Sequence, residues 1–91
     1  MLFIIKSTAA IEQALKLANT DDVLLLIENA VYAGVNHHRS FFGLKERKVY
    51  ALHEDLQARG IENRLSPSVL KVNFDGFVQL TTEQVQSITL E

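Results

Sequence analysis

Two stretches of the chain are continuously apolar rather than alternating, Leu2-Phe3-Ile4-Ile5 and Val23-Leu24-Leu25-Leu26-Ile27. Successive side chains of a strand point to opposite faces, so a strand with one wet face alternates apolar and polar residues. Unbroken runs fit strands covered on both faces, which belong mostly to parallel sheets flanked by helices. Val49-Tyr50-Ala51-Leu52 and Val69-Leu70-Lys71-Val72 carry weaker versions of the same signal. Between the first two runs, Ile11, Ala14, Leu15 and Ala18 recur at helical spacing. That pattern predicts a helix of about three turns with one apolar face, capped by Ser7 or Thr8. Asn19-Thr20-Asp21-Asp22 breaks it. Asn29 is placed to cap a short helix through Val31, Tyr32 and Val35. His53 to Arg59 predicts another, closed by Gly60, which tolerates the left-handed backbone of a helix end. Ser66-Pro67 marks a turn, Asp75 to Leu80 a last short helix, and Val85 to Leu90 a tail or edge strand.

Strands therefore alternate with helices, which predicts right-handed crossovers. The expected fold is α/β: three layers, with a mostly parallel sheet of four to five strands between helices. Neither an internal repeat, nor a low-complexity segment, nor a linker interrupts the pattern, so one domain over residues 1–91 is expected. The polar stretch from Asn36 to Lys48 is set apart as a long loop, with basic residues on both sides of Phe41-Phe42. Loops of that length in small domains tend to be functional.

Composition narrows the picture. A chain of 91 residues buries only roughly 60–65% of the surface its unfolded form exposes, so a stable partner interface is expected. Cysteine is absent, which removes disulfides, thiolate metal ligands and thiol nucleophiles together. Nine basic against eleven acidic residues give a net charge of −2, the wrong sign for a dedicated nucleic-acid binder. The apolar start is only five residues long and runs into Lys6, too short for a secretory signal or a membrane span. The expectation is a soluble, cytoplasmic protein with no membrane partner.

Ligands of open α/β sheets bind beyond the carboxyl ends of the strands. Lys6, Ser7, Glu28, Asn29, His53, Glu54 and Asp55 fall there. Glu28 and His53 would form an acid/base pair if their strands are neighbours, with Asn29 beside them as a further candidate ligand. The alternative is plain helix capping by Asn29, with carboxylates at helix starts where the dipole favours them. His37, His38 and His53 show no metal-ligand spacing, and the four scattered glycines make no phosphate-binding loop. No metal or cofactor is expected. Adjacent Phe41 and Phe42, next to Arg39, read either as a core plug or as a protein interface, where aromatics and arginine concentrate.

Four segments together resemble the DsrH/TusB family. Leu24-Leu25-Leu26-Ile27-Glu28-Asn29-Ala30-Val31-Tyr32-Ala33 is similar to one family stretch. Val49-Tyr50-Ala51-Leu52-His53-Glu54-Asp55-Leu56-Gln57-Ala58-Arg59-Gly60 is similar to its most distinctive one. Val72 to Leu80 and Val85-Gln86-Ser87-Ile88 match two more, with Ile88 where the family commonly has Trp. The resemblance implies a Rossmann-like, DsrE-like fold and a place in a sulfur relay. Family members are small subunits of heterohexamers with homologous TusC-like and TusD-like chains, whose cysteines pass persulfide sulfur toward 2-thiouridine at the tRNA wobble position. A related branch serves sulfur oxidation. Some members carry a cysteine in the first helix; aligning Leu15-Lys16-Leu17-Ala18 with them puts Ala14 at that place. The resemblance thus implies a non-catalytic, accessory subunit linked only indirectly to tRNA, with Arg39, Phe41 and Phe42 as interface candidates. A small ligand-binding domain, or a homo-oligomeric interaction module, is the competing reading.

Overall fold

The computed structural model describes residues 1–35, 41–44, 46–84 and 86–91, with the backbone alone of Phe41 and Phe42. The two unbroken apolar runs form β1 (Leu2–Ile5) and β2 (Val23–Leu26), and every residue of both is buried. Next come β3 (Lys48–Leu52), β4 (Leu70–Val72) and β5 (Ser87–Leu90). All four pairings are parallel, in the order β4-β3-β2-β1-β5. The edge strands β4 and β5 are largely exposed. That is why their sequences read as mixed rather than apolar.

The helices are α1 (Ile11–Leu17), α2 (Phe41–Leu44), α3 (His53–Ala58) and α4 (Phe74–Glu83), joined by 3-10 helices at Thr8–Ala10, Glu28–Gly34 and Glu62–Arg64. From β1 to β4 the chain always steps to the same side, so right-handed crossovers must all lie on one face of the sheet. They do: Ile11, Ala14, Val31, Leu44 and Leu56 pack against Phe3, Ile5, Leu24, Leu26 and Val49 in one core. The connection to β5 returns the opposite way, and the same handedness places α4 on the other face. There Leu80 and Phe77 meet Leu2, Ile4, Val23, Leu25 and Leu52. The result is three layers, unequal in thickness.

Local chemistry sets the element ends. The Ser7 hydroxyl accepts from the Ala10 N–H at 3.2 Å, and Asn73 caps α4 by accepting from the Gly76 N–H at 2.9 Å. Gly60 ends α3 at φ +66°. The sequence expectation for Asn29 does not hold. The segment after β2 is a 3-10 helix entered at Ile27, without a side-chain cap. The stretch expected as one loop contains α2, and Lys48 already belongs to β3. α4 runs from Phe74 to Glu83, longer than Asp75 to Leu80. No helix among the described residues is long and apolar enough to cross a membrane.

Candidate functional site

The carboxyl ends of β1, β2 and β3 lie side by side and carry a network of charged groups. Glu28 follows β2 with a left-handed backbone, φ +51°, a region that costs a non-glycine residue roughly 1–2 kcal/mol. What holds it there is a short bond: the Glu28 N–H donates to Asp55 Oδ2 at 2.6 Å. Arg59, the residue just past the end of α3, donates from Nε to Asn29 Oδ1 at 3.0 Å, and its Nη1 lies 3.6 Å from Asp55 Oδ1. Asn29 therefore serves as an acceptor for an arginine far away in sequence. The carboxylate of Glu28 remains at the surface, with Oε2 3.7 Å from Lys6 Nζ. Lys6 also donates to Glu91 Oε1 at 3.2 Å. The hydrogen bond to Glu91, its charge, and then the charge of Glu28 raise the Lys6 ammonium above the usual lysine range.

His53, the first residue after β3, faces a different set of groups. Its Nδ1 is sealed from solvent and lies 3.3 Å from Glu62 Oε2, off the line a hydrogen bond needs. Lys71 Nζ approaches the same oxygen at 3.7 Å. A cleft of about 420 Å³ opens here, lined by His53, Lys71, Val72, Asn73 and Gly76. Glu54 accepts from the Phe74 N–H at 3.1 Å.

So the strands of Glu28 and His53 are neighbours, yet each side chain has its own partner: Lys6 for Glu28, Glu62 for His53. Sequence reasoning missed Glu62 and Lys71. Only the rule of strand ends pointed toward this corner, and it named His53 alone. Arg39 and the side chains of Phe41 and Phe42 lie outside the described residues.

Residues 6–87 match the family described as DsrH like protein. Protein TusB of Escherichia coli O81 (strain ED1a) is 39% identical over 71 residues, which cover 76% of this chain and 75% of that protein. Protein TusB of Escherichia fergusonii is 36% identical over 76 residues, covering 81% and 80%. Among solved structures, the ychN protein of E. coli superposes with a TM-score of 0.77 at 18% identity, covering 97% of each chain. Protein Tm0979 of Thermotoga maritima gives 0.65 at 22%, covering 92% of this chain and 94% of its own. At those identities the two structures speak for the fold, and they share the layered α/β arrangement derived above. A match over nearly the whole chain, together with TusB relatives well above 30% identity, decides the family: the chain belongs to the DsrH family.

Proposed function

We propose that this chain is the cysteine-free accessory subunit of a TusBCD-like sulfur relay supporting 2-thiolation of the tRNA wobble uridine. One observation carries the reading: a chain of the DsrH family, 39% identical to TusB, contains no cysteine at all. Each hand-off in a persulfide relay needs a thiolate that attacks the outer sulfur of the donor persulfide. This chain supplies none, so its contribution is to dock and position chains that do. The proposed partners are homologous TusC-like and TusD-like subunits in a cytoplasmic heterohexamer. Arg39, Phe41 and Phe42 are the proposed docking segment, on the strength of their aromatic and basic character.

Gentle purification of the tagged chain from its own cells, followed by native mass spectrometry, tests the proposal. Two small cysteine-bearing homologues in equal copies with this chain are the expected result. A monomer or a homo-oligomer would sink it. Ablating the gene should also lower 2-thiouridine in total tRNA; a loss of sulfur oxidation instead would assign the chain to the Dsr branch.

A further inference from the structure

The His53 corner contains an arrangement that docking alone does not use. The negative charge of a carboxylate oxygen 3.3 Å from the buried Nδ1 favours the tautomer that carries its proton there. In neutral His53 the lone pair therefore sits on Nε2. The side chain is 31% exposed although Nδ1 is sealed, so its exposed area lies on its other atoms. His53 lines the cleft together with Lys71, Val72, Asn73 and Gly76. The cleft thus offers an imidazole with the Glu62 carboxylate close to its Nδ1, an ammonium, and an apolar side chain at Val72. At Gly76 a Cβ would stand 3.2 Å from Val72 Cβ, so a larger residue there would crowd Val72.

We propose that this cleft receives an ionisable thiol and that His53 takes its proton. The S–H bond breaks heterolytically: the proton passes to Nε2, and the electron pair stays on sulfur. Glu62 balances the imidazolium, Lys71 balances the thiolate, and nothing is oxidised or reduced. The choice of a thiol over a hydroxyl rests on the sulfur-relay reading. A chain without cysteine would then take part in the relay by ionising a thiol that belongs to another molecule, either a low-molecular-weight thiol or the cysteine of a partner subunit.

The test uses the full chain, labelled with 15N, and long-range proton–nitrogen spectra of the histidine rings; His53→Gln identifies the His53 signals. The expected spectrum shows protonated Nδ1 and bare Nε2, and Glu62→Gln erases that preference. N-acetylcysteine methyl ester should shift Nε2 saturably, its S-methylated analogue should not, and Lys71→Met should weaken binding at least tenfold. In a second arm, the rate of iodoacetamide alkylation of the partner cysteines is compared in complexes carrying wild-type or His53→Gln chain. A response to the ester assigns a small-molecule thiol; a several-fold slower alkylation with His53→Gln assigns the partner's cysteine. If Nδ1 proves to be the bare nitrogen, or neither arm responds, the proposal is overturned. Partners that assemble while both arms stay silent would sink the thiol site and spare the relay reading. Binding of the ester by a chain that captures no partner would do the reverse.

Discussion

Glu28 shows how one backbone conformation is stabilised from elsewhere in the chain. Its left-handed φ of +51° costs energy, and the 2.6 Å bond from its N–H to Asp55 offsets that cost. Glycine at this position should be more stable than valine by about 1–2 kcal/mol, since only valine pays for the Cβ there; urea unfolding of Glu28→Gly and Glu28→Val measures the difference. Asp55→Ala removes the acceptor and one partner of Arg59, and should cost about 1–2 kcal/mol in the same assay. Asp22 supplies a pH-dependent counterpart. Hydrogen bonds from the Met1 amino group at 2.9 Å and the Asn19 N–H at 2.8 Å hold its carboxyl below the usual range. A depressed folded-state value means that the stabilisation is complete above the unfolded value of about 3.9 and fades as pH falls through the folded one. Thermal melts should therefore show wild type above Asp22→Asn at pH 6, with the gap closing in strong acid.

Among the elements, α4 rests on the thinner side of the sheet. It covers its face of the sheet mainly through Leu80 and the half-buried Phe77, while Phe74 and Val78 stay largely exposed. Leu80→Ala should cost about 2–4 kcal/mol. Hydrogen exchange should then show α4 opening well before α1, which packs with several neighbours in the larger core. How well each element was legible follows from the same physics. The central strands were plain in the sequence because burial on both faces leaves nothing polar to interrupt the run. The end of α4 was not: Thr81 and Thr82 are weak helix formers, yet they lie in its last turn with their hydroxyls on the Val78 carbonyl at 2.7 and 3.0 Å. Asn29 looked like a cap because Asn next to a helix start usually is one. Its oxygen is taken by Arg59, a long-range contact without local signature. The cluster of His53, Glu62 and Lys71 was hidden for the same reason, as only the return of the chain from α3 to β4 gathers it.

For the whole molecule, the order β4-β3-β2-β1-β5 places four strands in one winding direction and sends the fifth back across the sheet. β5 completes the far side of β1, where the Leu2 N–H donates to Gln86 O at 3.0 Å and the Lys6 N–H to Leu90 O at 2.9 Å. Ser7 and Lys6 reach Glu91 as well. Those bonds join the two ends of the described sequence. The consequence concerns synthesis: β1 leaves the ribosome early, and its backbone on one side has no partner until β5 follows. Until then an apolar strand presents an open edge, the kind of template that invites pairing with a foreign chain. Contacts this distant in sequence also make folding slow relative to a helical bundle of equal size. The nascent chain therefore keeps a need for protection of this edge until β5 is released.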